Sequence, residues 1–287
     1  MAVRKWASNL WRLCWGVFVA LVLVHAFGAL PFAYAWVWPP AVVAMALGFA
    51  MSRTARAHHA KHRPAAVEVA APVTGRWLAH NSPADKVPSH GLYRYGQEYA
   101  IDVVAVGGGV EGEPGAEGKV RSRPDFAWVW PIARRNRDFP AFGEPVLAVA
   151  DATVVHASDR QRDHLSRNSL VGLVYLMLIE SAVRQIGGAG RMTGNRLVLD
   201  LGNGTYAMYA HLGRGSLTVR PGDRVSVGQV LARCGNSGNS TEPHVHFQLM
   251  DHPDPDVARG VPFRWEGIGV PGNGAEFVVG RDLADTP

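Results

Sequence analysis

The stretch Gly235-Asn-Ser-Gly-Asn-Ser-Thr-Glu-Pro-His-Val-His-Phe-Gln-Leu-Met250 passes from a turn-forming segment into an alternating one. If His244 to Leu249 is a strand, residues two apart share a face, so His244, His246 and Gln248 project together. Asn236, Ser237, Asn239 and Ser240 supply the turn before it. Two imidazoles on one face at the mouth of such a loop make a metal or acid/base site. A His-x-His alone is only moderately specific, because exposed strands also carry histidines, and its setting raises its weight.

Outward from this stretch, short apolar runs alternate with turn signals. They lie at 76–79, 100–106, 146–149, 153–156, 197–201, 206–211 and 230–234. The chain holds 32 glycines and 19 prolines without a triplet repeat, so the expectation is a mainly β protein, a sandwich or barrel of antiparallel strands. With 287 residues, 47% of them hydrophobic, disorder, collagen and a small disulfide scaffold are excluded. Cys14 and Cys234 stand in different settings and are not expected to bond to each other.

Two further elements carry chemistry. Tyr209-Ala-His211-Leu212 ends one strand, and Ser89-His90-Gly91 precedes Asp102, a carboxylate that interrupts the apolar run 100–106. A buried carboxylate is costly unless it is paired or binds metal. Two imidazole nitrogens and one carboxylate oxygen, with a position open to water, form the ligand set of catalytic zinc. Four histidines and this aspartate point to a hydrolase. On their own, His211 could be a polar strand end, and Asp102 could pair with Arg94. His80, His156, His164 and His252 read as surface or packing residues, and Trp77, Trp128 and Trp130 as core or groove wall.

From Trp77 to Asp251 the chain resembles the lysostaphin/LytM family of zinc metallopeptidases, which cleave peptide bridges of bacterial peptidoglycan. The likeness is densest from Asn195 to Met250, where Tyr-Ala-His-Leu, Pro-Gly-Asp-Arg-Val, Gly-Gln-Val-Leu and Gly-Asn-Ser-Gly-Asn-Ser-Thr-x-Pro-His-x-His-Phe follow in family order. It implies a small antiparallel β-sheet or barrel-sandwich domain with one Zn2+ per chain in a groove across the sheet. It makes His246 and Asp102 zinc ligands, and His244 and His211 the catalytic histidines that do not bind the metal. The family spacing His-x-x-x-Asp would place the remaining ligand at position 98, which here is Glu98. His90 is the preferred substitute because it restores two nitrogens and one oxygen; the alternatives are Glu98 and a site without metal. The implied reaction is peptide hydrolysis by a zinc-activated water, with His244 and His211 moving protons.

Two other functions compete. One is a catalytically inactive scaffold or regulator of other wall hydrolases on the same fold. The other is a lipoyl- or phosphotransferase-type carrier, suggested by the turn-strand pattern from Arg220 to Leu231. A lipoyl carrier needs a lysine at a hairpin tip, and the only lysine after Lys86 is Lys119, far from that pattern.

The net charge of +5 is unevenly placed. Residues 1–64 hold seven Lys/Arg and no Asp/Glu, and the remaining 223 residues carry 22 basic against 24 acidic groups. The basic excess flanks the forty uncharged residues between Arg12 and Arg53, a membrane signature rather than a nucleic-acid stripe. One bilayer crossing takes about 20 apolar residues. The segment therefore reads as a helical hairpin turning at 28–31, as a single pass from Leu13 to Leu30, or as a signal peptide ending at Ala33-Tyr34-Ala35. Phe32, Tyr34, Trp36 and Trp38 form an aromatic belt, and Pro39 and Pro40 weaken a second pass. His58, His59 and His62 belong to its basic flank.

The expected organisation is a membrane anchor at 1–63, a linker at 64–72, and a peptidase domain at 73–287 with a helical insertion at about 157–194. The expected partners are a membrane and peptidoglycan peptide, with no nucleic acid. The basic flanks favour a cytoplasmic domain for a hairpin, whereas the wall substrate favours an extracytoplasmic one, which is the reading adopted. Residues 107–118 are too glycine-rich for regular structure and read as a mobile surface loop. Ser169 to Gly187 reads as a helix apolar on all sides, which is buried against the domain in the simplest reading or else touches the membrane or a partner.

Overall fold

Short apolar runs separated by glycine and proline can satisfy their backbones only by pairing. The computed structural model, which describes residues 2–28, 33–62, 64–107 and 122–280, shows that pairing. Helices α1 (Ala2–Ala26) and α2 (Trp38–Lys61) come first. Strands β1 (Val67–Val69), β2 (Gly75–His80), β3 (Ile101–Ala105), β4 (Pro145–Leu147) and β5 (Ala152–Ser158) follow. Helices α3 (Leu170–Tyr175), α4 (Ser181–Ile186) and α5 (Ala189–Thr193) form an insertion. The chain then returns to strands β6 (Asn195–Asp200), β7 (Tyr206–Leu212), β8 (Arg224–Val225), β9 (Val230–Arg233), β10 (Val245–Met250), β11 (Gly260–Val261), β12 (Phe263–Trp265) and β13 (Glu276–Val279).

The main sheet runs β13-β2-β3-β10-β7-β6-β5-β8, antiparallel at every step, with β11 added to β10. One face, with Ile101, Val103, Phe247, Leu249, Leu197 and Tyr209, packs into the main core with Phe263 and Trp265. Alternation sends Asp102, His246 and Gln248 to the other face, beside a small apolar cluster of Val198, Met208, Met250 and Ala258. Residues expected to form a linker instead begin the domain. Val67–Val69 pairs in parallel with Phe263–Trp265, and Val69 is buried in the core, because a Val-x-Val run supplies a strand once a partner edge is present. Trp77 is buried, with its indole N–H donating to Thr74 O at 2.7 Å, but Trp128 and Trp130 are exposed rather than core or groove wall.

Helices α1 and α2 pack against each other, and each is long and apolar enough to cross a membrane, with little of its apolar surface buried inside the protein. Pro39 and Pro40 do not weaken α2, because they occupy its first turn, where a missing N–H costs nothing. Gly28, with φ of 64°, follows the end of α1. Phe32 and residues 29–31 of the expected turn lie outside the described residues, as do residues 108–118 of the glycine-rich stretch. The hairpin is bonded to the domain near its charged ends: Lys5 Nζ lies 2.8 Å from Asp254, Arg12 Nη1 3.0 Å from Asp256, and Arg4 donates to Val257 O at 2.6 Å.

The insertion is helical where expected, with Ser169 capping α3 by accepting from Gly172 N at 2.9 Å. A π-helical turn, Leu176–Glu180, joins α3 to α4. Its apolar side is not buried against the domain. The polar residues face inward, with Glu180 bonded to Arg167 at 2.8 Å and Ser181 Oγ donating to Asn239 Oδ1 at 2.8 Å, so most of the apolar residues, the buried Leu176 excepted, point outward.

The far end of the insertion meets the turn that leads into β10. Gly194 (φ 66°) and Gly238 (φ 72°) lie against each other, and a Cβ on Gly194 would stand 2.5 Å from Ser237 C. Gly238→Ala combines left-handed strain with a backbone clash and should cost about 2 to 4 kcal/mol of stability. Urea unfolding of the full-length variant checks this; a loss below about 0.5 kcal/mol would contradict so close an approach.

Candidate metal centre

Cross-strand register builds the site. His246 on β10 lies opposite Asp102 on β3, and Asp102 lies opposite His80 on β2. Asp102 Oδ1 is 2.8 Å from His246 Nδ1 and 3.5 Å from His244 Nε2. Asp102 Oδ2 is 3.0 Å from His90 Nε2 and accepts from Asn81 Nδ2 at 2.8 Å. His90, Asp102 and His246 each offer a ligand atom within 4.8 Å of the others.

Surrounding hydrogen bonds fix which nitrogen of each ring faces this point. Gln248 Nε2 donates to Tyr95 O at 2.8 Å, which turns its Oε1 toward His246 Nε2–H, also at 2.8 Å, and leaves His246 Nδ1 as the lone-pair nitrogen. Ser89 Oγ donates to Gln97 O at 3.2 Å and accepts from His90 Nδ1–H at 2.9 Å, leaving the lone pair of His90 on Nε2. Two imidazole lone pairs and a carboxylate therefore converge where only a proton or a cation can reconcile them. Outer-shell bonds of this kind orient metal ligands.

His244 and His211 are held alike. Each donates its Nδ1–H at 2.8 Å to a backbone carbonyl, Glu242 O and Ser237 O respectively, which places the lone pair on Nε2. Their ring centroids are 4.8 Å apart, and His211 lies 5.7 Å from His246. His211 has φ of 61°, a left-handed conformation at the end of β7.

Burial would raise the Asp102 carboxyl, but with no cation at the site the neighbouring imidazoles, His90 and His244 foremost, offset this when they take up protons and hold it well below the usual carboxylate range. Burial pushes His211 well below the ordinary imidazole value, and His244 and His246 add to that effect. Burial also lowers His244, but the neighbouring Asp102 charge outweighs it and raises the group overall.

Glu98 is not part of the cluster. Its Oε2 accepts from Gly260 N at 2.6 Å on the wall of a separate cavity of about 550 Å³, shared with Arg4, His58 and Arg259. Burial raises its carboxyl. Nor does Arg94 pair with Asp102; its guanidinium lies 4.2 Å over the Trp11 ring. His164 bonds to Leu165 O and Gly238 O, and the His252 ring accepts from Asp254 N. Sequence reasoning missed Asn81 as a partner of Asp102, and it did not place His80, read as a surface or packing residue, opposite that carboxylate. His80 is partly buried, with its Nε2 lacking a hydrogen-bond partner among the described residues. Only the β2–β3 register could have revealed either of them.

Residues 178–256, which include His211, His244 and His246, match peptidase family M23. The match covers 79 of the 287 residues, and this part of the chain is similar to M23 peptidases. The match begins after His90 and Asp102, which the fold brings to the matched residues. The chain is 36% identical over 74 residues to the glycyl-glycine endopeptidase ALE-1 of Staphylococcus capitis, covering 25% of this chain and 18% of that protein. It is 39% identical over 57 residues to the peptidoglycan DD-endopeptidase ShyA of Vibrio cholerae, covering 20% and 13%. The matched part thus spans under a fifth of either curated relative. The catalytic domain of lysostaphin from Staphylococcus simulans aligns over 47% of this chain and 84% of that one, at 21% identity and a TM-score of 0.28.

The depressed His211 imidazole gives a pH signature. The unfolded chain takes up this proton near pH 6.5 while the folded state resists it, so the stabilising contribution is full above about pH 6.5 and declines on acidification. With metal chelated, stability of the wild type should fall between pH 7.5 and 5.5 more steeply than that of His211→Asn, a residue that tolerates the left-handed backbone. Parallel slopes in chemical unfolding would show that His211 is not held neutral.

Proposed function

We propose that this chain is a membrane-anchored zinc metalloendopeptidase that hydrolyses peptide bonds in bacterial cell-wall peptidoglycan. His90, Asp102 and His246 are its ligands for one Zn2+ per chain, and His211 and His244 are its proton-transfer residues. The reading is carried by the convergence of the His90 and His246 lone pairs on Asp102, an N,N,O donor set matched to zinc. Bound zinc would supply Lewis acidity, polarising the scissile carbonyl and lowering the pKa of a water towards about 7.

The protein's own groups do the rest. The backbone carbonyls of Ser237 and Glu242 keep the Nε2 lone pairs of His211 and His244 available, so either ring can accept a proton and pass it to the leaving amine. Gln248 and Ser89 hold the ligand rings in position. Arg123, 2.7 Å from Glu242, lies beside the segment that leads to His244.

The peptidoglycan substrate is supported by the stated activities of ALE-1 and ShyA, and the membrane anchor by the two apolar helices. We take 1–63 as the anchor and 73–287 as the peptidase domain, to which β1 adds an edge. Because the wall lies outside the cell, the domain belongs on the extracytoplasmic side.

Metal analysis of the full-length protein tests the ligand set. About one equivalent of zinc is expected in the wild type and in Glu98→Ala, and none in His90→Ala or His246→Ala. Loss with Glu98→Ala but not with His90→Ala would overturn the assignment. A zinc-free wild type would favour the scaffold or regulator. His244→Ala should retain zinc while losing hydrolysis of wall peptide by about 10²- to 10⁴-fold. An unchanged rate in that variant would remove His244 from the reaction.

A further inference from the structure

The insertion has an inverted amphipathic surface. A helix on a water-soluble domain normally turns apolar residues inward and charges outward. Here Glu180 and Arg184 face the domain and pair with each other at 3.4 Å, while Met177, Leu178 and Val183 are 65%, 72% and 65% exposed. Beside them, Trp128 and Trp130 are 74% and 79% exposed. The tryptophan turn is bonded to the start of the insertion helix. Ala127 bridges Ser169, Leu170 N donates to Ala127 O at 2.9 Å, and Ser169 Oγ donates to Ile132 O at 2.7 Å.

The hairpin sets the height of this surface. Helix α4 packs on α1, where a Cβ on Gly16 would lie 4.0 Å from Ile186 Cγ2. Arg12, the last charge before the uncharged run, pairs with Asp256. Gly16 is one helical turn further, about 6 Å deeper along α1. If α1 spans a bilayer, the end of the insertion therefore lies just inside the apolar zone. Interfacial amphipathic helices bury their apolar face to about 5–10 Å, and tryptophan favours the same level.

We propose that the insertion helix and the Trp128-Val129-Trp130 turn form a lipid-docking surface, immersed in the bilayer interface beside the hairpin. This rests on the reading of α1 and α2 as a membrane anchor. The surface is coupled to the metal groove, because Ser181 Oγ and Arg184 Nη1 both donate to Asn239 Oδ1 in the loop before His244. Lipid contact then adds a second hold on the position of the groove relative to the membrane, beside that of the anchor. A lipid fits better than a protein partner because the patch is continuous with a helix pair that is itself apolar and outward-facing.

The test uses the full-length chain with Cys14→Ala and Cys234→Ala, reconstituted in protein-free vesicles of phosphatidylethanolamine and phosphatidylglycerol. An environment-sensitive fluorophore is placed on Leu178→Cys, Trp128→Cys, Val19→Cys in α1, or Val278→Cys on β13. That strand is the sheet edge far from β5 and β6, which carry the insertion. Zinc content confirms that each variant is folded, and the two insertion probes back each other up. The expected result is blue-shifted emission and several-fold stronger quenching by nitroxide-labelled acyl chains at 178 and 128 than at 278. Quenching at 19 with water-like emission at both 178 and 128 would overturn the docking surface while leaving the anchor intact, and would make a protein the occupant. Water-like emission at 19 as well would overturn the anchor.

Discussion

Asp102 is a carboxylate set in the middle of a buried strand, and the site is arranged around the need to compensate its charge. Burial in a low-dielectric interior is tolerable for an ionised group only when partners or a metal balance it. Here the partners come from three separate parts of the chain. β10 and the residue just before it bring His246 and His244, the loop before β3 brings His90, and the residue after β2 brings Asn81. The antiparallel order β2-β3-β10-β7 is what places these segments, with His211, around one point. The core face of the same strands holds that order in place, since shifting β3 by one residue would send Asp102 into the apolar layer.

Local pattern made much of this legible. Alternation located β2 to β7, β9 and β10 to within a few residues, and the His-x-His run indicated its own face. Strands β1, β8 and β11 to β13, two to four residues long, were not legible, because their partner edges rather than their composition create them. The N-terminal helices could be read, but the placement of Pro39 and Pro40 at the start of α2 depends on where that helix begins.

The site divides in the same way. Donor chemistry alone favoured His90 over Glu98, and the structure places Glu98 in another cavity, bonded to Gly260. Asn81 and His80 depend on pairing between strands about twenty residues apart, which no local spacing records. The insertion showed the opposite limit. Its helix was visible, but a sequence apolar on every side does not say which side is covered. That was decided by Glu180, Ser181 and Arg184, whose partners Arg167 and Asn239 lie on the domain.

The connection between α2 and β1 consists of residues 62–66, which could extend to at most about 18 Å. Many surface enzymes hang from a long leash and sample a volume. In this chain Lys5, Arg12 and a five-residue connector hold the domain against its two N-terminal helices, so the candidate metal site keeps a fixed place relative to them. If those helices span a bilayer, as proposed above, a substrate polymer would have to approach the membrane surface to meet the candidate site.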